Sequence, residues 1–166
     1  MSLCNNSNII KAYSFFYIFS GNTYLKTAPD IIADEVEPYG CSGMFDSCSK
    51  LKSIDKINVK KVGSYGFASM FNYCSSLVNI PSILPATELA DYCYYQMFIG
   101  CKSIVTAPEL PATTLGTSCY NAMFRSCSSL TQAPSILPAT TLAEYCYYYM
   151  FMGCTSLVRA PYLPAS

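Results

Sequence analysis

The sequence predicts a repeat solenoid, with short parallel strands on one face and loops with short helical or 3₁₀ turns on the other. Three observations predict it. A Met-Phe pair recurs at Met44-Phe45, Met70-Phe71, Met97-Phe98, Met123-Phe124 and Met150-Phe151, with Ile18-Phe19 in the same register, at steps of 26, 26, 27, 26 and 27 residues. Four residues after each Met stands Cys48, Cys74, Cys101, Cys127 or Cys154, a place that Asn22 takes in the first copy. Seven residues after comes an aliphatic (Leu25, Leu51, Leu77, Ile104, Leu130, Leu157), and ten after comes Ala or Ile, followed at once by Pro in five of the six copies. A unit of this length cannot bury its own apolar residues, whereas stacked neighbours can.

The elements follow in chain order. Residues 1–13 are an N-terminal segment, and residues 14–166 form one solenoid of six 26–27-residue copies, the last incomplete. Within the first copy, the apolar residues 12–19 resemble a signal-peptide core, but they carry only Lys11 before them and they fit the repeat register. In each copy the apolar positions are spaced by three, too sparse for a long helix face and unlike strand alternation. The Leu-x-x-Ala/Ile stretch is the best strand candidate, ended by a Pro that has no N–H for a ladder. Residues 142–151 suit a short helical or 3₁₀ turn on the opposite side. At about 4.8 Å per strand, six copies stack to roughly 29 Å. Equivalent residues should form columns: Phe45, Phe71, Phe98, Phe124 and Phe151 in one, Cys48, Cys74, Cys101, Cys127 and Cys154 in another.

The stretch from Val62 to Phe67 followed by Cys74-Ser-Ser-Leu77, and the later run from Met123 through Ser-Cys-Ser-Ser-Leu130 to Ala133-Pro-Ser-Ile-Leu-Pro, resemble the BspA-type leucine-rich repeat of bacterial surface proteins, in a variant common in gut Bacteroides-type bacteria. The resemblance covers about residues 14–166. It implies a leucine-rich-repeat solenoid with a strand-lined face, export to the cell surface, and a role in adhesion or protein binding. Here the usual second strand residue is replaced by Pro, which implies very short or irregular strands.

Ten cysteines in an exported chain ordinarily suggest a disulfide framework. The positions argue for two columns of buried thiols instead, the second being Cys93, Cys119 and Cys146, four residues before the Met. Stacked coils would point the Cβ vectors of such a column in parallel rather than toward each other. Cys4 and Cys41 lie off both columns and are the candidates for other pairing.

The residue supply argues against catalysis. A Cys or Ser nucleophile needs an adjacent base, most often His, and the chain has none. The cluster Asp34, Glu35 and Glu37 is expected as a solvated loop rather than an acid/base group. There is no glycine-rich phosphate loop and no calcium loop. Zinc needs close Cys pairs or His, but the nearest cysteines are seven or eight residues apart, so no metal and no cofactor are expected. Ten bases balance ten acids, so no net field draws nucleic acid or an anionic membrane. No apolar run approaches the roughly 18 residues of a membrane span.

Fixed positions in a repeat are packing positions, and varied ones face solvent or a ligand. The varied rows supply a candidate contact set of Tyr73, Tyr95, Arg125, Tyr148, Tyr149 and Arg159, residue types that anchor interfaces. Tyr92, Tyr94, Tyr120, Tyr145 and Tyr147 recur in register and are expected to pack between coils. The function expected is a non-catalytic, extracellular or cell-surface module that binds protein or glycan in adhesion. The alternative is a structural spacer or a phage virion fibre segment. The sixth copy ends without a polar cap, so end-to-end self-association, or a longer array, is expected.

Overall fold

Each copy closes one coil and lays its apolar rows on those of the next. The structure is a computed structural model and describes residues 8–164; Cys4 lies outside them. Phe19, Phe45, Phe71, Phe98, Phe124 and Phe151 form one file, with neighbouring rings 5.5–5.8 Å apart and no more than 8° from parallel. A second file runs through Phe67, Tyr94, Tyr120 and Tyr147 at 5.7–5.9 Å. Cys41, buried, stands at the register of that second file in coil two. The Met row, the Leu row and the two aromatic files together make one continuous core along the axis, so the chain is a repeat solenoid.

The side of the coil around the Met is a ribbon of overlapping β-turns. In coil two, Tyr39, Cys41, Gly43, Phe45 and Ser47 donate their N–H groups to the carbonyls of Ser64, Gly66, Ala68, Met70 and Asn72 in the next coil, at 2.7–3.1 Å. The alternate residues Gly40, Ser42, Met44, Asp46 and Cys48 donate to the carbonyl three residues back. Every fourth residue is left-handed (Tyr39, Gly43 and Ser47 here, with φ of 59°, 60° and 59°), and this re-aims alternate N–H groups along the axis. Within residues 142–151, expected as a short helical or 3₁₀ turn, the stretch from Glu144 on is this ribbon. It has the i→i−3 bonds of a 3₁₀ turn, but half the N–H groups leave the coil, so no helix forms among the described residues.

The strands lie elsewhere than the Leu-x-x-Ala/Ile stretch. They are β1 (Ile9–Ile10), β2 (Ile31–Val36), β3 (Ile57–Val62) and β4 (Glu88–Leu89), all parallel, in the order β1-β2-β3-β4. The Leu-x-x-Ala/Ile stretch instead contributes single parallel bridges, Thr27 to Ser53 to Asn79 and Thr106 to Gln132 to Arg159. The reason lies in the proline supply. After the first two corners come β-branched residues in alternation: Ile31 and Val36 buried in β2, Ile57, Val59 and Val62 in β3. From coil three on, a second Pro (Pro85, Pro111, Pro138) removes another donor, and the pairing shrinks to the two-residue β4 and then to isolated bridges such as Ile83 to Glu109 and Ile136 to Tyr162.

The first thiol column does more than fill space. Cys48, Cys74, Cys101, Cys127 and Cys154 each donate through Sγ to the backbone carbonyl of Phe19, Phe45, Phe71, Phe98 and Phe124 respectively, at 3.0–3.1 Å. Each of these bonds ties a coil to the one before it. Cys93, Cys119 and Cys146 form the second buried row. Coils two and three carry Gly40 and Gly66 there, because a Cβ would come within 2.8 Å of Val36 or Val62 Cγ1. The valines that end the long strands fill the space that the thiols fill in later coils.

Candidate binding surfaces

Two outward surfaces follow from this coil. The first is a groove at the Pro corner. One stretch of about 640 Å³ is lined by Thr106, Glu109, Gln132, Val158 and Arg159 among others. It shares Thr106, Ala107 and Glu109 with a neighbouring stretch of about 460 Å³ that reaches Val78 and Asn79. That stretch shares Pro81 and Ser82 with a third, of about 420 Å³, which runs to Asp55 and Lys56. The groove therefore spans coils two to six. Its floor carries Asn79, Thr106, Gln132 and Arg159 in coils three to six, polar at each of them yet different at each. The Oγ1 of Thr106 lies 3.2 Å from Oε1 of Gln132, so this row is linked along the axis.

The second surface is the outer face of the turn ribbon. Tyr13, Tyr39, Tyr65 and Tyr92 stack there at 5.0, 4.8 and 4.7 Å, within 6° of parallel. Burial against its neighbours raises the Tyr65 phenol above its ordinary value. Phe16 meets Tyr13, Tyr17 and Tyr39 edge-on. In coil six, Tyr145, Tyr148 and Tyr149 continue the surface, with the Arg125 guanidinium 5.8 Å from the Tyr149 ring.

Of the sequence-derived contact set, Tyr73, Tyr95, Arg125, Tyr148 and Tyr149 stand on the ribbon, and Arg159 alone stands in the groove. The set therefore divides between two surfaces. Tyr95 is half-buried, its ring edge-on to Tyr92 and its hydroxyl accepting from Gln96 Nε2 at 2.9 Å. The varied row that supplies Arg159 also holds Asn79, Thr106 and Gln132 of the groove floor, whereas Tyr13, Tyr39 and Tyr65 stand outside the contact set. The signal for these tyrosines was available: Tyr stands five residues before the Met register in five of six copies.

Asp34, Glu35 and Glu37 are not a solvated loop. Asp34 and Glu35 lie in β2 and Glu37 directly follows it. Each is paired one coil away, with Lys60 at 2.6 Å, Lys61 at 3.0 Å and Lys11 at 2.8 Å. The hydrogen bond from Lys60 holds the Asp34 carboxyl below its ordinary value, and the bond from Lys11 does the same for Glu37. Such groups stay ionised and are poor proton donors near neutrality. The half-buried Asp46 is the opposite case, raised by desolvation, but its neighbours are Ser20, Ser47 and Asn72, which supply no base. Among the described residues no group of three or more His, Cys, Asp or Glu is placed to hold a metal ion, and no helix is long and apolar enough to cross a membrane.

No family model matches the chain, and no curated protein matches it. Among solved structures, a leucine-rich cell surface protein from Faecalibacterium prausnitzii A2-165 aligns at 20% identity and a TM-score of 0.46, over 84% of this chain and 32% of its own. The chain thus spans about a third of the length of that protein.

Proposed function

We propose that this chain is a non-catalytic leucine-rich-repeat module, displayed at the cell surface or outside the cell, that recognises a protein or glycan partner in adhesion. The observation that carries this reading is the continuous groove, whose floor row changes at every coil while the Phe, Met and Cys rows beneath do not. A fixed core under a varied, concave, partly apolar surface is the arrangement that specific recognition requires. The repeat register supports the reading, as does the absence of His from the sequence. Arrays of extracellular proteins and glycans test it. Thr106→Arg places a long charged side chain where two stretches of the groove meet. It is expected to weaken a groove-bound hit at least about tenfold, with the circular dichroism spectrum and melting temperature unchanged. Blank arrays count against recognition altogether.

One observation favours the second reading, a structural spacer or virion fibre segment. Among the described residues, the N–H groups of Tyr145, Tyr147, Tyr149, Phe151 and Gly153 have no acceptor, and the carbonyls of Ser14, Phe16, Ile18 and Ser20 have no donor. These are the two halves of the same ladder, so a further coil or a second copy would continue it. End-to-end association of the 166-residue chain would appear in light scattering as mass rising with concentration, the mark of a heterologous, non-closing contact.

A further inference from the structure

The outer face of the ribbon carries two exposed tyrosines packed against glycines of the following coil. Tyr17 lies over Gly43 of the next coil. A Cβ built on Gly43 would stand 2.4–2.6 Å from Cε1, Cζ and Cε2 of Tyr17, close to the ring axis, so the ring seats face-on against the glycine. Tyr73 packs on a glycine two coils on, but by one edge: a Gly100 Cβ would stand 2.6 and 2.9 Å from Cδ1 and Cε1 of its ring and 3.5 Å from Cγ. One period separates tyrosine from glycine in both cases. Tyr17 is 43% and Tyr73 56% exposed, so each ring is supported from below and open to solvent. Through Phe16, the Tyr17 platform joins the Tyr13–Tyr39–Tyr65–Tyr92 file, whose rings repeat at 4.7–5.0 Å.

From this geometry we propose that the ribbon face binds a neutral, β-linked polysaccharide chain running along the solenoid axis, with one pyranose ring stacked on Tyr17, another held against the exposed Tyr73 ring, and sugar hydroxyls met by the tyrosine file. The chemistry selects this partner. The face of an aromatic ring is electronegative, and the axial C–H bonds of a pyranose present a matching, weakly positive flat surface. Flat rings with a row of phenol hydroxyls beside them offer both contacts a sugar polymer needs. The coil repeat is close to the length of one sugar in an extended β-linked chain, so successive coils meet successive units. The charged residues of this face are Asp46, Asp91, Arg125 and Glu144, three acids to one base, which favours an uncharged polymer over an acidic one. This inference rests on the reading of the chain as a recognition module and gives that module a ligand class and a second face.

Affinity electrophoresis through gels containing soluble xyloglucan, mixed-linkage β-glucan or hydroxyethylcellulose tests it. The chain is expected to be retarded in at least one of them. Tyr17→Ala and Tyr73→Ala are each expected to weaken that retardation about tenfold, as loss of an aromatic anchor does, with Tyr73→Phe within about twofold of the parent. Gly43→Ala serves as a second variant, because Ala122 occupies the equivalent left-handed position at φ 53° and the backbone tolerates alanine there. It removes the seat without touching the tyrosine, and should match Tyr17→Ala while the circular dichroism spectrum stays that of the parent. No retardation in any of the three gels overturns the proposal. Retardation that survives Tyr17→Ala combined with Tyr73→Ala overturns it equally. If the gels are blank while the arrays give a hit sensitive to Thr106→Arg, the recognition reading stands and the glycan face alone falls.

Discussion

Raising the pH from 8 to 11 is expected to unfold the solenoid in one steep transition. The cause is the thiol rows. Burial pushes Cys127 up to about 12, and raises Cys74, Cys93 and Cys101 as well. An unfolded thiol ionises near 8.5. Because the folded value is the higher one, the neutral form favours the fold. That stability is complete below the unfolded value and is lost as pH climbs through the window between the two values. Each thiol withdraws about 1.4 kcal/mol per pH unit there, hence about 2 kcal/mol by pH 10. Four of them withdraw about 8 kcal/mol, against the 5 to 15 kcal/mol or so that holds an ordinary domain. The buried phenols of Tyr94 and Tyr120, raised by desolvation, add to the loss at still higher pH. Far-ultraviolet circular dichroism and thiolate absorbance followed together should change at one midpoint, near pH 10. A spectrum unchanged past pH 11 would mean that the two thiol rows are not shut away from solvent.

The stacking rows were legible because they repeat with fixed identity. Phe at one position in all six copies, and Cys at one position in five, is the direct trace of like side chains lying over one another. The strands were harder to place, because the β-branched alternation of Ile57, Val59 and Val62 is local to the early coils and a period-wide pattern averages it away. The pairing of Asp34, Glu35 and Glu37 was written in the sequence at one-period offset: Lys60 and Lys61 follow Asp34 and Glu35 by 26 residues, and Lys11 precedes Glu37 by the same step. Read along the chain these are separate charge runs; read across coils they are a zipper.

The binding surfaces were only partly legible, for the same reason. Variation between copies marks exposed residues such as Tyr73 and Arg159, but it also marks Ala68, Ile99 and Ala122, which are buried. It does not say which side of the coil the exposed ones leave from, since that depends on the left-handed residue every fourth position, which side-chain identity scarcely signals when Tyr, Ser, Gln and Ala all occupy it. Recurrence also misleads at Tyr13, which is 59% exposed although its register holds Tyr in five copies. There, identity is preserved by ring stacking at the surface. An aromatic one period ahead of a glycine, as in Tyr17 with Gly43, is a signal that comparison across coils can find.

Phe98→Ala is expected to cost about 3 to 5 kcal/mol, the range for removing a fully buried aromatic side chain. Phe98 is fully buried in the middle of the file, with Phe71 and Phe124 each 5.5 Å away on either side. The gap would open between rings that are themselves held by neighbours, by the thiol bond from Cys127 to the Phe98 carbonyl, and by the ladder bond from the Phe98 N–H to Met123. The site has little freedom to collapse, which places the cost at the upper end of the range. Phe151, half-buried with one stacking partner, is the internal control, and Phe151→Ala should cost less than half as much. The solenoid adds a second consequence. Its stability is a sum of coil terms and nearest-neighbour terms, so cooperativity depends on every interface along the axis. Weakening the interface at coil four should let coils one to three and coils five to six unfold separately, and urea unfolding of Phe98→Ala should broaden, with a lower apparent m-value. A cost below about 1 kcal/mol with an unchanged m-value would show that the rings touch without carrying the stack.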